Sequence, residues 1–146
     1  MRSVAMAAGL FAGIVAASSA NARPLTPAEQ RYWGYSAEVP LCADPAALDN
    51  IRSRFARREA DYWKSGLEIV TYDRVRETGE RTTGLDYIPR RYCQARAIFN
   101  DGKARQVTYW IGEGIGFAGH DWGIEWCVIG LDRNYAQAPA CKTARP

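Results

Sequence analysis

The chain has 146 residues, enough for one domain, and its 19 basic and 16 acidic residues give a formal net charge of +3. This near balance excludes the strong positive charge that is typical of proteins that bind nucleic acid or an anionic membrane surface. We therefore expect one domain with no nucleic-acid partner.

The first 22 residues predict a secretory signal peptide. Arg2 provides a basic start, an uncharged apolar run extends from residue 4 to residue 17, and Ala20-Asn21-Ala22 supplies the small residues of a cleavage site. A membrane anchor is the alternative, but the run is shorter than the roughly 20 residues that a spanning helix needs. We expect cleavage after Ala22, no membrane span afterwards, and a periplasmic or secreted protein.

Residues 23–43 predict an irregular lead-in, and residues 44–146 predict the folded domain. The lead-in contains one short helix, because Thr26 and Glu29 have the spacing of a capping box and Pro27 stands at the first helical position.

The main helix is predicted to begin at Pro45, with Asp44 as its N-cap, and to end at Ser65, with Gly66 as the left-handed residue that follows. Its large apolar residues have the spacing of one buried helical stripe. They are Leu48, Ile51, Phe55 and Tyr62.

The other face of this helix is basic, and we expect it to be solvated rather than to bind an anion. Arg57 and Asp61 stand four residues apart, so they are expected to pair. The basic residues are Arg52, Arg54, Arg57, Arg58 and Lys64.

Strand patterns follow the helix, and an irregular tail closes the chain at residues 131–146. Thr78-Gly79-Glu80 predicts a turn, and Pro89 ends a weaker extended segment. The predicted extended segments are residues 67–77, 81–88, 91–99, 103–111 and 122–129.

Asn100-Asp101-Gly102 predicts the loop of a hairpin. A two-residue loop would set polar side chains opposite apolar ones, whereas a three-residue loop with Gly102 left-handed separates them onto two faces. The inner face then carries Cys93, Ala95, Ala97, Phe99, Val107, Tyr109 and Ile111. The outer face carries Tyr92, Gln94, Arg96, Gln106 and Thr108.

All four cysteines lie after the predicted cleavage site, so export predicts two disulfides. Cys93 faces inward, toward the helix that Cys42 precedes, whereas Cys127 faces outward, where the tail with Cys141 can reach it. We therefore predict the pairs Cys42–Cys93 and Cys127–Cys141. Zinc is the alternative, but the nearest two cysteines are 14 residues apart, which is poor spacing for a metal site.

These elements predict an α+β fold, with one long helix packed on a curved antiparallel sheet of four to five strands and two disulfides. The order of elements resembles the cystatin-like or nuclear-transport-factor-like plan, some members of which hold a small ligand inside the sheet. No motif supports that resemblance, so it implies nothing about function.

The stretch GEGIGFAGHD, residues 112–121, contains a formal match to the dinucleotide-binding pattern G-x-G-x-x-G. That fingerprint needs a helix directly after the glycines to hold a pyrophosphate, but a strand pattern follows here. We interpret the glycines as a mobile connection between two strands, and we expect no cofactor.

His120, the only histidine, is the one candidate general base. A catalytic site would combine it with Glu113, Asp121 or Glu125. No nucleophile stands in an obvious catalytic setting, and a plain turn at the start of a strand is the favoured alternative.

A second candidate site is the outer face of the hairpin. Trp110, Arg96 and Tyr92 fall on that face, and exposed aromatic rings beside arginine suit the recognition of sugars, peptides or anionic polymers. Ordinary packing of these rings is the alternative.

Three segments, residues 88–93 (IPRRYC), 100–102 (NDG) and 122–127 (WGIEWC), together with the signal peptide, resemble a group of small exported alphaproteobacterial proteins of unknown function. The resemblance implies an envelope location and no activity. We expect a non-enzymatic binding or interaction module whose partner is an envelope protein, a glycan or a small ligand. The alternatives are a small-ligand pocket or weak hydrolase centred on His120, and a purely structural envelope protein.

Overall fold

The structure is a computed structural model that describes residues 35–81 and 88–146. The predicted signal peptide, the capping box of the lead-in and nearly all of the weaker extended segment lie outside the described residues.

One helix and a four-stranded antiparallel sheet form the described fold. Helix α1 spans Pro45–Arg58 and continues as a π-helical turn over Glu59–Trp63. The strands are β1 (Ile69–Arg81), β2 (Arg90–Phe99), β3 (Ala104–Glu113) and β4 (Trp122–Val128), and they lie in the order β1-β2-β3-β4. The α+β class and the packing of one helix on one sheet were therefore predictable from the sequence.

The start of α1 is as predicted, but its end is not. A carboxylate oxygen of Asp44 accepts hydrogen bonds from the backbone N–H groups of Ala46 (2.8 Å) and Ala47 (3.4 Å). At the other end the residue directly after the helix, Lys64, is already left-handed with φ of 50°, and Gly66, with φ of +61°, follows two residues later. The helix ends early because its last turn is π-helical, so the N–H of Lys64 reaches the carbonyl of Glu59.

The π turn also changes which residues face the sheet. Glu59, four residues after Phe55, lies on the buried stripe, and the wider turn that begins there rotates Tyr62 away from that stripe. Tyr62 is 77% exposed, and the predicted ion pair between Arg57 and Asp61 does not form. Both predictions were wrong for the same reason, since both assumed α-helical geometry through residue 63.

The β2–β3 hairpin has the predicted three-residue loop and register. Gly102 has φ of +74°, and its N–H bonds to the carbonyl of Phe99 (2.9 Å). Cys93 lies opposite Tyr109, and Ala95 lies opposite Val107. The separation of apolar from polar side chains was therefore a sufficient guide to the register.

Strand β1 is longer than predicted. The segment Thr78-Gly79-Glu80, interpreted as a turn, lies inside the strand, where Gly79 pairs with Tyr92. The pairing of β1 with β2 contains three register shifts, which let the strand continue past residues with poor strand propensity.

The core lies between α1 and the inner face of the sheet. The Phe55 ring meets the edge of Phe99 at 5.3 Å and Trp126 at 5.9 Å, measured between ring centroids. Ala95 and Ala97 are buried beneath the helix, and their small side chains allow its close approach.

Two disulfides form, and each joins the two cysteines that the alternation of side chains along the strands predicts to pair. Cys42–Cys93 ties the segment before α1 to the inner face, where the Tyr109 hydroxyl also donates to the Cys42 carbonyl at 2.5 Å. Cys127–Cys141 ties the C-terminal tail to the outer face, where both sulfurs are buried together with Ala144.

Candidate functional site

The glycine-rich loop between β3 and β4 is shaped by its own backbone. Gly114 and Gly119 have φ of +66° and +79°, the left-handed region that favours glycine. A Cβ atom on Gly116 would lie 2.2 Å from the carbonyl oxygen of His120. A short 3₁₀ turn over Phe117–Gly119 is the only helical element between these two strands, so the three glycines serve the turn.

Ile115 of this loop folds back over the sheet. Gly112 of β3 and Gly123 of β4 are paired, and a Cβ atom on Gly123 would lie 2.4 Å from the carbonyl oxygen of Ile115. Because the paired glycines have no side chains, the loop packs directly against the backbone of the sheet at this position. This function of the glycines was not predicted, because it depends on the register between two strands.

The structure brings His120, Asp121 and Glu113 to one shallow cleft, together with Tyr35 and Ser36. Glu113 is already engaged: one oxygen accepts from the Ser36 N–H (2.8 Å) and hydroxyl (3.0 Å), and the other accepts from the Ala37 N–H (2.8 Å). Glu113 thus anchors the lead-in to the end of β3, while His120 is exposed. Within residues 35–81 and 88–146, no hydrogen bond joins the His120 side chain to a carboxylate or to a nucleophile.

Glu125, the fourth catalytic candidate, lies elsewhere. It lines a cleft between α1, β4 and the tail, which is separate from the cleft that contains His120. The four candidate residues therefore do not form one site.

The predicted binding face needs a correction at Tyr92. Its side chain is only 4% exposed, and Pro146 of the tail lies 3.2 Å from the position of a Cβ atom on the neighbouring Gly79. Trp110 is half-buried, with the Arg90 guanidinium 4.4 Å from its ring centroid. The tail and Arg90 cover rings that the strand pattern alone leaves exposed, so Tyr92 is not available to a ligand.

Arg96 belongs to an open groove on the outer face of β1, β2 and β3, which we call the outer-face groove. Arg76 donates through its Nε to the Gln94 side-chain oxygen (2.9 Å), and Arg96 forms a bidentate pair with Asp73. The hydrogen bonds from Arg96 lower the pKa of the Asp73 carboxyl. The groove residues with polar side chains are Arg74, Arg76, Gln94, Arg96, Arg105 and Gln106, of which Arg105 pairs with Asp101.

The charge of the outer-face groove is not fully balanced. Within residues 35–81 and 88–146, neither Arg74 nor Arg76 forms an ion pair. The hydrogen-bond partner of Arg76 is the neutral amide of Gln94. Two uncompensated guanidinium groups therefore stand beside two amides that can donate and accept hydrogen bonds.

A second cleft, lined by three arginines and by the carboxylates of Asp61, Glu125 and Asp132, was not predicted from the sequence. We call it the edge cleft: it lies between α1, β4 and the tail, and Arg54, Arg57 and Arg58 form its helix wall. The Arg58 guanidinium lies 4.2 Å from the Trp126 ring centroid, and its burial lowers the pKa of Arg58. The helical spacing of these arginines was visible, but only the packing of α1 beside an edge strand makes a cleft of them.

A buried carboxylate holds the tail beside the edge cleft. Glu59 is fully buried, accepts from the Ser65 hydroxyl (2.5 Å), and pairs with Arg133 of the tail (3.0 Å). The Arg133 guanidinium also lies 5.0 Å from the Trp63 ring centroid. The buried Glu59 carboxylate therefore fixes residues that follow β4.

Comparison of the chain with models of known families, with curated proteins and with solved structures found no match. In the described part of the chain, no helix is long and apolar enough to cross a membrane. The same residues contain no group of three or more His, Cys, Asp or Glu side chains placed to hold a metal ion.

Proposed function

We propose that the chain is an exported, non-enzymatic binding module, periplasmic or secreted, and that its outer-face groove takes an acidic glycan. The two disulfides fit a protein of an oxidising compartment. The order of one helix followed by four antiparallel strands supports, as part of this proposal, a cystatin-like or nuclear-transport-factor-like plan.

The observation that carries the proposal is the combination of Arg74 and Arg76, without ion pairs among the described residues, with Gln94 and Gln106 in one open groove. A guanidinium fork matches a sugar carboxylate, and side-chain amides match the hydroxyls beside it. The residues that line this groove include no carboxylate. A carboxylate there would repel an acidic sugar.

The test is titration calorimetry of the exported, disulfide-bonded protein with a galacturonate oligosaccharide and with its neutral galactose counterpart. We expect binding of the acidic sugar alone, weakened by salt. Arg76→Gln should weaken it about tenfold or more, because a charge-assisted hydrogen bond contributes about 1.5–3 kcal/mol.

Arg52→Gln is the matched control, since it removes the same charge from a residue that pairs with Asp49 outside the groove. Equal affinity for the two sugars, or no binding, would contradict the proposal and favour a structural envelope protein. Cleavage of the sugar that stops in His120→Ala would instead support the hydrolase alternative.

A further inference from the structure

We propose that the edge cleft docks an extended acidic peptide of a partner protein, which adds to β4 as a fifth strand of the sheet. This interaction surface is separate from the outer-face groove and does not depend on it.

The first argument is the open edge of β4. The N–H of Ile129 bonds to the Gln106 carbonyl across the β3–β4 pair (2.9 Å), so the alternate residues 123, 125 and 127 also direct their backbone groups toward β3. The backbone groups of Ile124 and Trp126 consequently point away from the sheet. At this edge the Arg54 guanidinium bonds to the Ile124 carbonyl (2.8 Å), and the N–H of Leu131 bonds to the Val128 carbonyl (3.0 Å). Among the described residues, no hydrogen bond to the outward backbone groups of Trp126 is found.

An edge of this kind is a template for another strand. It lies in a cleft of about 400 Å³ rather than on an open surface, because α1 covers one side and the tail covers another. The Glu59–Arg133 pair and the Cys127–Cys141 disulfide hold that tail in place. The cleft is therefore preformed, which lowers the entropic cost of binding.

The second argument is the charge of the cleft wall above the inner face. Arg57 and Arg58 form no ion pair with any residue in the described ranges, and Arg54 is bound only to a backbone carbonyl. The lining of the cleft also includes the carboxylates of Asp61, Glu125 and Asp132, of which Asp132 already accepts from the backbone N–H groups of Ala136 (3.1 Å) and Gln137 (2.9 Å). The wall that α1 and its π turn form carries three guanidinium groups and one carboxylate, a net charge of +2, which favours acidic side chains in the part of the peptide that faces this wall.

The third argument fixes which peptide residues are acidic. A residue opposite Trp126 would exchange backbone hydrogen bonds with it and would turn its side chain to the same inner face, toward the arginines. Its neighbours in the peptide would face outward, beside Glu125, where a carboxylate would be repelled. The peptide should therefore alternate acidic with uncharged residues, and its acidic residues should be those whose N–H groups bond to β4.

The experiment uses the exported, disulfide-bonded protein and four blocked nine-residue peptides, with binding measured by calorimetry. The first alternates threonine with glutamate, and the second has glutamine in place of glutamate. The third and fourth carry the first sequence with backbone N-methyl groups either on every glutamate or on every internal threonine.

We expect the first peptide to bind and the glutamine peptide to bind about tenfold more weakly or worse. Methylation of the glutamates should abolish binding, because it removes the N–H groups that face β4, whereas methylation of the threonines should leave it nearly unchanged. Equal effects of the two methylations, or no binding of the first peptide, would overturn the proposal.

Arg57→Gln should weaken binding of the first peptide about tenfold. Because Arg57 is exposed, we expect the variant to keep the fold of the unmodified protein. Arg52→Gln is the control on the same helix, outside the cleft and paired with Asp49. Arg76→Gln should leave peptide binding unchanged, so failure of the glycan proposal and failure of this one are distinguishable. A loss of affinity in Arg52→Gln equal to that in Arg57→Gln would show a nonspecific charge effect and would refute the docking site.

Discussion

At the scale of single residues, Glu113 and His120 line one cleft but differ in their hydrogen bonds. His120 attracts attention as the only histidine, but it is exposed, and no hydrogen bond of its side chain is found among the described residues. Glu113 accepts three hydrogen bonds from Ser36 and Ala37 and so joins two distant parts of the chain. Its contribution is structural.

Glu113→Ala should therefore lower the free energy of unfolding by about 1–3 kcal/mol, because the N–H groups of Ser36 and Ala37 lose a charged acceptor. His120→Ala should change it by less than about 0.5 kcal/mol. Urea unfolding followed by circular dichroism measures both. A larger effect of His120→Ala than of Glu113→Ala would show that the cleft is organised around the imidazole.

The buried pair Glu59–Arg133 gives a second prediction at this scale. Arg133→Leu should cost about 3 kcal/mol, because it leaves the fully buried Glu59 carboxylate without its cation. Glu59→Leu combined with Arg133→Leu should recover much of that loss, since the unpaired charge is gone. Denaturant unfolding of the two variants tests this, and a double variant less stable than Arg133→Leu alone would contradict it.

At the scale of elements, the loop between β3 and β4 packs against Gly123, a position of β4 that has no side chain. Gly123 has no left-handed backbone to explain it, yet a Cβ atom there would lie 2.4 Å from the carbonyl oxygen of Ile115. The close approach of loop to strand, and not conformational freedom, requires glycine at this position.

Gly123→Ala should accordingly destabilise the fold by about 2 kcal/mol, because a backbone atom must move to admit the methyl group. Gly66→Ala is the control: Gly66 has φ of +61° and nothing within 4 Å of its Cβ position, so only backbone strain of about 1 kcal/mol is expected. Thermal unfolding compares them. A neutral or stabilising Gly123→Ala would mean that Ile115 does not rest on the sheet.

At the scale of the whole molecule, two disulfides hold chain segments against opposite faces of one sheet. The Cys42–Cys93 bridge spans 51 residues and ties down the segment before α1, and the Cys127–Cys141 bridge spans 14 residues and ties down the tail. The tail packs against Trp110, so this bridge also controls the exposure of that ring.

Replacing both Cys127 and Cys141 by serine should cost about 3 kcal/mol and increase the quenching of tryptophan fluorescence by iodide, because the tail no longer covers Trp110. Replacing Cys42 and Cys93 should cost about 4 kcal/mol, since that loop is longer, without the same increase in quenching. Equal quenching in both variants would contradict the covering function of the tail.

The sequence by itself determined the class of fold, the N-cap at Asp44, the three-residue hairpin loop and the side of the sheet on which Cys93 and Cys127 lie. Each of these depends on local rules: the alternation of side chains along a strand, the capping of a helix, and the backbone freedom of one glycine. Such rules act over a few residues and can be applied without knowing what lies above the sheet.

Only the tertiary structure decided which outer surfaces are open. Tyr92 and Trp110 have the alternation of exposed residues, but Tyr92 is buried, and a tail far away in sequence packs against Trp110. The π turn rotates Tyr62 out of the core, and the buried Glu59 finds its partner in Arg133, 74 residues away in the sequence. Both outcomes depend on contacts between distant segments, and strand or helix periodicity contains no information about such contacts.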